Sequence, residues 1–202
     1  MPDEIVVSFS GPFSWPGTPD APSIFDVNEG LAAGIYLFTV PLPDGNLIYY
    51  VGETGRTFRA RLFEHYTEHA SGMYHVYSPA EFARGEKVML WPGRFDMACR
   101  KPKRECIAAY SELCGPIWEM TRMFRLFVAP LTCDQRVRCR IEAAIANALY
   151  ATPGMIGNFQ DKVNYSKGRR RSADWMRSKF FGATSWTARA FFSVGRSHSP
   201  IK

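Results

Sequence analysis

Five side chains in this sequence have the chemistry that cleavage of a phosphodiester bond requires. They are an arginine, a histidine, two tyrosines and a glutamate: Arg61, His65, Tyr36, Tyr50 and Glu142. Such a hydrolysis needs an activated water, neutralisation of the charge that develops around phosphorus, and help for the leaving oxygen. A guanidinium can bind a phosphate with two hydrogen bonds, an imidazole can relay a proton, and a carboxylate can bind a hard metal ion. These residue types therefore indicate phosphoryl chemistry, provided that the fold brings them together.

The arginine and the two tyrosines also fit ordinary structural roles. Arg61 precedes two acidic residues, Glu64 and Glu68, and an ion pair with either would leave it on a solvated helix face. Tyr36 and Tyr50 lie in apolar segments, where a tyrosine is usually a core aromatic. A phenol with a pKa of about 10 is a poor base at neutral pH unless a cation or metal lowers that pKa.

Glu142 is the only acidic residue inside an apolar helical segment. It lies at the margin of a stripe that repeats every 3.6 residues, formed by Val137, Ile141, Ala144, Ile145 and Ala148. An unpaired carboxylate near a core is costly, so Glu142 must be paired or bind a metal. Arg138 and Arg140 are the nearby cations, and both a metal site and an ion pair remain open from the residues alone.

The two tyrosines lie on a predicted β-hairpin. Residues 34–40 and 47–51 are rich in β-branched and aromatic side chains, and the sequence Pro-Asp-Gly-Asn at 43–46 is typical of a turn. Tyr49 alternates with Tyr50 along the second strand, so we expect their rings on opposite faces of the sheet.

A helix follows the hairpin at once. Thr54 or Thr57 can cap it, and it extends to about His69. Arg61 and His65 are four residues apart, which places them together on the flank of this helix. The apolar arc beside them consists of Phe58, Leu62, Phe63 and Tyr66.

Residues 71–122 are predicted to interrupt this compact unit as an inserted subdomain. Within it, the pattern predicts a helix at 79–84, an extended segment at 87–91 and a helix at 104–113. The aromatic residues of the insertion are numerous enough for a small satellite core. Target recognition, dimerisation and a purely structural role are all open for it.

A third strand and a second amphipathic helix follow the insertion. Residues 124–131 form the predicted strand, which ends at Pro130, and Thr132 or Asp134 then caps the helix that carries Glu142. This order of elements predicts an α/β fold of the α+β sandwich type, with a small three-stranded antiparallel sheet flanked by helices.

The two ends of the chain have opposite charge. Residues 1–30 hold five acids and no lysine or arginine. Residues 5–9 could form a strand, and the prolines and glycines after them predict a turn-rich path for an acidic arm laid over the domain. Residues 167–202 hold nine basic residues against one acid, so they carry +8 and the rest of the chain −2. We therefore divide the chain into an arm at 1–30, a main domain at 31–165 and a basic extension at 166–202. A basic extension suits a polyanionic partner such as DNA, and it is also common on proteins that bind none.

The remaining composition narrows the class of protein. No run of about 18 apolar residues is present, and the acidic start does not resemble a secretion signal, so we expect a soluble, cytoplasmic protein without membrane contact. The five cysteines are odd in number and form no Cys-x-x-Cys pair, which favours reduced thiols over disulfides or a zinc site.

The motifs resemble those of the GIY-YIG nuclease family, whose members cut DNA with one divalent metal. The sequence has Gly-Ile-Tyr at 34–36, Tyr-Val-Gly at 50–52, and an arginine and histidine at 61 and 65 directly behind them. The resemblance covers residues 34–65 most strongly and 124–158 less so. The predicted hairpin is somewhat longer than in the smallest members, with the extra length in the turn.

The resemblance implies a role for each candidate side chain. Tyr36 would be the general base and Tyr50 would orient water or phosphate, while Arg61 would clamp the scissile phosphate and His65 would assist proton transfer. Glu142 would be the sole protein ligand of one Mg²⁺ or Mn²⁺ per site, and that ion together with Arg61 would lower the pKa of Tyr36. The family's asparagine after the glutamate helix corresponds to Asn158, with Asn164 as the alternative.

The function that these residues predict is a Mg²⁺-dependent endonuclease acting on double-stranded DNA. A small chain with a large insertion favours a site-specific restriction or defence enzyme over a repair or structure-specific nuclease. A DNA-binding module that kept the fold and lost activity is the alternative outside the enzyme class. Cutting both strands with one site per chain would favour a homodimer. Four basic residues are the candidate contacts to the DNA backbone: Lys167, Arg169, Arg170 and Arg171.

Overall fold

The computed structural model describes residues 3–42, 45–93, 103–151 and 185–192. Seven strands and four α-helices occur in these ranges, with one short 3-10 helix between the first two strands. In chain order the elements are β1 (Asp3–Phe13), the 3-10 helix (Asn28–Leu31), β2 (Gly34–Leu42), β3 (Gly45–Thr54), α1 (Phe58–Ala70), β4 (Val76–Tyr77), α2 (Pro79–Phe82), β5 (Met89–Trp91), α3 (Lys103–Met123), β6 (Arg125–Pro130), α4 (Gln135–Ala151) and β7 (Ser185–Phe192).

The main sheet has the strand order β3-β2-β6-β1-β7, and all neighbouring strands are antiparallel. The mixed helix and sheet architecture with an antiparallel sheet is therefore confirmed. The predicted three strands form one side of this sheet, but within the described ranges it has five strands rather than three. The two additional strands come from the ends of the chain, because β1 pairs with β6 on one side and with β7 on the other.

The first part of the N-terminal segment, β1, is therefore a strand of the sheet rather than an arm laid over the domain. Ser10 pairs with Val128 of β6, and Val7 and Phe9 are buried in the core between the sheet and a helix. Alternating apolar residues in this segment supply a strand with one buried face, and the prolines and glycines take effect only after residue 10. A strand at residues 5–9 was predicted, but its place inside the sheet was not, because the partner strands lie far away in the sequence.

Helices cover both faces of the sheet and bury two separate cores. On one face, Tyr36 and Phe38 of β2 pack with Phe58 and Leu62 of α1. On the other face, Ile35 and Leu37 of the same strand pack with residues of α4, namely Ile141, Ile145, Ala146 and Leu149. Alternate residues of β2 thus belong to different cores, as the two-residue period of a strand requires.

Helix α1 begins where Thr57 caps it, since the Thr57 side chain accepts a hydrogen bond from the Ala60 N–H. Its buried face consists of Phe58, Leu62, His65 and His69. Phe63, expected in the apolar arc, is 56% exposed, and His65 lies in the core rather than on the flank. The arc was misplaced because the two histidines take part in the buried stripe although imidazole is counted as polar.

The insertion forms its own small core beside the main one. Val76, Trp91, Leu113 and Ile117 cluster together. This small core is mostly aliphatic, however, and two aromatic residues of the insertion, Tyr77 and Phe82, pack in the main core instead. Helix α3 runs over 103–123, well beyond the predicted 104–113, because it continues through Pro116 to the start of β6.

Three smaller expectations also have structural outcomes. The described cysteine side chains, Cys114, Cys133 and Cys139, are not joined in disulfides. Asp134 caps α4, where its carboxylate accepts the Val137 N–H at 2.8 Å. Among the described residues, no helix has the length and apolar character needed to cross a membrane.

Candidate active site

The Tyr36 ring lies across the neighbouring strand at the position where that strand has no side chain. Tyr36 of β2 pairs with Gly52 of β3, and its side chain is 1% exposed. A Cβ atom at position 52 would overlap the Tyr36 Cζ and Oη atoms. The glycine of the Tyr-Val-Gly motif therefore lets the Tyr36 phenol reach α1 over the backbone of β3.

Tyr36, His65 and Arg61 form one hydrogen-bonded cluster. The Tyr36 hydroxyl lies 2.8 Å from His65 Nε2, and Arg61 donates from Nε to the same hydroxyl at 3.4 Å. His65 is almost completely buried, whereas the Arg61 side chain is 30% exposed. The cluster thus connects the core to a cation that solvent can reach.

Arg61 also makes the ion pair that its alternative interpretation predicted. It donates to Glu64 at 3.0 Å, and Arg56 donates to both carboxylate oxygens of Glu64 at 2.6 and 2.7 Å. These hydrogen bonds from Arg56 and Arg61 lower the pKa of Glu64 to about 2. Burial opposes the charge on Arg61, but Tyr36 and Glu64 outweigh it and raise the arginine pKa. Glu64 therefore stays ionised and holds Arg61 beside Tyr36.

Tyr50 lies beside this cluster, and Tyr49 lies on the same side of the sheet. The Tyr50 ring is 6.1 Å from the Tyr36 ring and 5.7 Å from the His65 ring. A β-bulge between Phe38 and Thr39 shifts the register opposite these tyrosines. Both Tyr49 and Tyr50 consequently pack against the core that contains Tyr36. The predicted opposite orientation of Tyr49 was wrong, because simple alternation does not hold at a bulge.

The pKa of the Tyr36 phenol is raised well above its ordinary value. Burial is the main cause, the neighbouring Tyr50 and the Glu142 carboxylate add to it, and Arg61 opposes it. The sequence predicted that Arg61 and a metal would lower this pKa. In the protein alone, burial outweighs the arginine, so Tyr36 is a neutral hydroxyl at neutral pH.

Glu142 belongs to the helix that packs against the other face of the sheet. It is half-buried on α4, and its charge contributes to the raised pKa of Tyr36. Arg138, its predicted ion-pair partner, pairs with Glu53 of β3 at 3.0 Å. Glu142 is thus a carboxylate within electrostatic reach of the phenol.

The described residues contain no group of three or more histidine, cysteine or acidic side chains that could hold a metal ion. A metal bound through Glu142 would be held there by one carboxylate of the described residues. Mg²⁺ suits such a donor set, since it prefers oxygen ligands and usually keeps several waters and substrate phosphates. The half-buried Glu142 carboxylate fits the single-ligand arrangement that the family resemblance implies.

His69, one turn beyond His65, is structural. Its ring packs against Trp15, Tyr74 and Phe124, with centroids 4.7 to 5.5 Å apart. Burial lowers the pKa of His69 to about 3, and its Nδ1 has no hydrogen-bond partner within the described residues. His69 is therefore neutral and takes no part in the cluster around Tyr36.

Two residues that the sequence did not single out complete the surroundings of His65. Tyr74 lies 3.0 Å from His65 Nδ1, and its hydroxyl donates to Glu68 at 2.6 Å. From the sequence, Glu68, which lies three residues after His65, was considered only as a possible ion-pair partner of Arg61. Tyr74 returns to the helix because the chain reverses at Gly72, which has a φ of 67°. The Met73 N–H bonds to the Glu68 carbonyl across this reversal.

The other predicted site residues lie outside the described ranges. These are both candidate asparagines and all four candidate DNA contacts: Asn158, Asn164, Lys167, Arg169, Arg170 and Arg171. Their roles stay predictions.

Comparisons with models of protein families, with curated proteins and with solved structures found no match to this chain. The likeness to GIY-YIG nucleases thus depends on the motif residues, their order and their spacing. The geometry of Tyr36, Arg61 and His65 provides the physical basis for the function considered next.

Proposed function

We propose that this protein is a Mg²⁺-dependent endonuclease of the GIY-YIG type that hydrolyses phosphodiester bonds in double-stranded DNA. The observation that carries the proposal is the hydrogen-bonded cluster of Tyr36, His65 and Arg61, with Glu142 close enough to affect the phenol. A base, its proton acceptor, a cation for phosphate and a carboxylate for a metal are thus grouped around one hydroxyl.

Arg61 is suited to hold the scissile phosphate. Its guanidinium is permanently charged, partly exposed and fixed in orientation by Glu64. A phosphate bound there would lie beside the Tyr36 hydroxyl, where Arg61 Nε already donates. The negative charge that grows in the transition state is stabilised best by donors that are already in place.

Tyr36 acts as the base towards water in this proposal. Its raised pKa means that it must first transfer its own proton, and His65 Nε2 at 2.8 Å is the acceptor in contact. Burial, with Arg61 and His69 nearby, lowers the pKa of His65 to about 3, so its ring is neutral before the reaction and Nε2 can accept a hydrogen bond. A Mg²⁺ ion held by Glu142 would supply positive charge towards the phosphate and offset the Glu142 charge that raises the pKa of Tyr36.

Within this class, we favour a site-specific restriction or defence enzyme. The insertion adds an ordered core of its own, around Val76, Trp91, Leu113 and Ile117, that the compact nuclease unit does not require. The basic residues at 167–171 would bind backbone phosphates without reading sequence. Cutting both strands would favour a homodimer with one site on each chain.

The test is cleavage of supercoiled plasmid DNA in the presence of Mg²⁺ or Mn²⁺. We expect discrete linear fragments from the wild type and none with EDTA. Glu142→Gln keeps the shape of the side chain and removes its charge, and it should lower the cleavage rate about 100-fold or more. Glu112→Gln, on the exposed face of α3, is the matched control and should cleave as the wild type does.

Other products would correct the proposal in defined ways. Nicked circles or a smear would indicate a structure-specific or relaxed nuclease rather than a site-specific one. Absence of cleavage on several DNAs, with binding that weakens as salt rises, would overturn the enzyme and favour a DNA-binding module. Unchanged cleavage by Glu142→Gln would remove this residue from the site.

A further inference from the structure

The hydrogen-bond chain that begins at Tyr36 does not end at His65. On the far side of the imidazole, Nδ1 lies 3.0 Å from the Tyr74 hydroxyl, and that hydroxyl lies 2.6 Å from Glu68 Oε2. Four side chains are thus connected in series: Tyr36, His65, Tyr74 and Glu68. The series begins at a buried phenol and ends at a glutamate whose side chain is 32% exposed.

The direction of each hydrogen bond in this series follows from its last member. A carboxylate only accepts, so the Tyr74 hydroxyl donates its proton to Glu68. The Tyr74 oxygen can then only accept from His65, which requires the proton of the neutral imidazole to be on Nδ1. His65 Nε2 is consequently free of hydrogen and accepts from the Tyr36 hydroxyl. Every donor therefore points from Tyr36 towards Glu68.

We propose that Tyr74 and Glu68 are positioning residues that complete a proton relay from Tyr36 through His65 to solvent. The inference rests on the proposed nuclease function, in which Tyr36 must become a phenolate before it can take a proton from water. It assigns to this chain two residues that lie outside the Gly-Ile-Tyr, Tyr-Val-Gly and Arg-His motifs.

The relay balances in protons and charge. The Tyr36 O–H bond breaks while a bond from that proton to His65 Nε2 forms, and the Nδ1 proton moves to Tyr74. Tyr74 passes its own proton to Glu68 Oε2. His65 changes tautomer and stays neutral, Tyr74 is regenerated, and one negative charge moves from Glu68 to Tyr36. Glu68, which is partly exposed, can then release its proton to water.

The surroundings favour a relay in which the imidazole never becomes charged. His65 is buried against the Phe38 and Tyr50 rings. Arg61 on the same helix adds to the cost of a charged ring, and the carboxylates of Glu64 and Glu68 offset only part of it. A positive imidazolium at this place is costly, and its pKa is lowered for that reason. Simultaneous transfer at both ring nitrogens avoids that species, while the phenolate forms beside Arg61 Nε.

The tautomer of His65 is the first measurement, because it does not depend on activity. Long-range ¹H–¹⁵N spectra of the full chain should assign the proton of His65 to Nδ1. Tyr74→Phe removes its acceptor and should shift His65 towards the Nε2-protonated form. Tyr66→Phe removes a hydroxyl from the same helix, outside the series, and should leave the His65 signals unchanged.

Plasmid cleavage by the same variants is the second measurement. Tyr74→Phe should lower the cleavage rate about tenfold or more, because the proton of His65 Nδ1 can then no longer pass to Glu68. Glu68→Gln still accepts a hydrogen bond from Tyr74, so the tautomer of His65 is kept while the final proton acceptor is lost. It should therefore show a wild-type His65 spectrum together with a rate about tenfold lower or more.

The two measurements separate failure of the relay from failure of the function. An Nε2-protonated His65 in the wild type, or wild-type cleavage rates for both Tyr74→Phe and Glu68→Gln, would overturn the relay and leave the nuclease in place. A wild type that cleaves no DNA would overturn the proposed function and the role of the relay with it, whatever the tautomer.

Discussion

At the scale of single residues, the position of the Tyr36 phenol depends on the absence of a side chain at Gly52. The ring crosses the backbone of β3 at this glycine and meets His65 on the other side. Regular strand geometry would permit any residue at position 52, so the requirement for glycine comes from this crossing alone. A motif residue without chemistry of its own thus controls the geometry of the base.

Gly52→Ala should disrupt the candidate site by displacing this ring. The added methyl group overlaps the Tyr36 Cζ and Oη atoms, so the hydroxyl must move away from His65. Overpacking of this kind costs about 1–3 kcal/mol of unfolding free energy, and loss of the proton acceptor should lower cleavage by about 100-fold or more. Urea unfolding and plasmid cleavage measure the two effects.

Gly115→Ala in α3 is the matched control for that substitution. A Cβ atom at position 115 has no neighbour within 4 Å, and alanine favours a helix, so stability should stay equal or rise by about 0.5–1 kcal/mol. If both alanine variants unfold and cleave alike, the ring crossing at Gly52 is not what places Tyr36.

At the scale of elements, α1 is unusual in placing two neutral histidines on its buried face. Burial lowers the pKa of both His65 and His69 to about 3, with Arg61 adding to the effect at His65. In an unfolded chain the same side chains titrate near about 6.5. Below that pH the unfolded chain binds protons that the folded helix excludes, so acid favours unfolding.

The free energy of unfolding should therefore be constant above about pH 6.5 and fall as the pH drops below it. Each histidine contributes a loss of up to about 2 kcal/mol between pH 6.5 and 5, a range in which most carboxylates are still ionised. Urea titrations at several pH values give the slope.

His69→Phe tests this dependence within the helix. His69 packs among aromatic rings and its Nδ1 has no partner in the described part of the chain, so phenylalanine should fit there. The variant should lose about half of the slope below pH 6.5. Tyr66→Phe leaves both histidines in place and should keep the full slope. A flat wild-type profile would show that the histidines accept protons when folded.

How far the sequence predicts these elements depends on whether their signals are local. Three kinds of signal act within a few residues, and the elements that they predicted are present: the turn residues at 43–46, the helix caps at Thr57 and Asp134, and the apolar period of α4. The β-bulge beside Tyr49 depends on pairing with β2 and left no local signal.

The relay residues were missed for a related reason. Tyr74 reaches His65 only after the chain reverses at Gly72, and Glu68 matters only because Tyr74 lies over it. The spacing of Glu68, three residues after His65, was visible in the sequence. The indirect contact between His65 and Glu68 through Tyr74 was not visible, because it depends on the path of the loop.

At the scale of the whole molecule, the sheet joins the two ends of the chain. Strand β1 lies between β6 and β7, so residues predicted as separate extensions are neighbours inside one sheet. Its central position follows from non-local pairing, which no pattern within residues 1–30 reveals. The basic extension likewise contributes β7, at the edge of that sheet.

Phe9→Ala distinguishes a strand from an arm. Phe9 is 3% exposed in the core beneath α4, and its truncation should cost about 3–5 kcal/mol of unfolding free energy. Val6, on the same strand, is 49% exposed, and Val6→Ala should change stability by only about 0.5 kcal/mol. Thermal and urea unfolding give both values. Equal, small effects at the two positions would mean that the segment does not form part of the sheet.

The position of β1 has a consequence for how the protein is made. Val128, which pairs with Ser10, is synthesised more than a hundred residues later, and Thr187, which pairs with Ser8, later still. Strand β1 therefore leaves the ribosome long before either neighbour exists, with Val7 and Phe9 still exposed to water. Contacts so distant along the chain slow folding, and unpaired strands favour aggregation in the meantime. The sheet can close only after β7 has been synthesised, so β7 controls when β1 becomes protected.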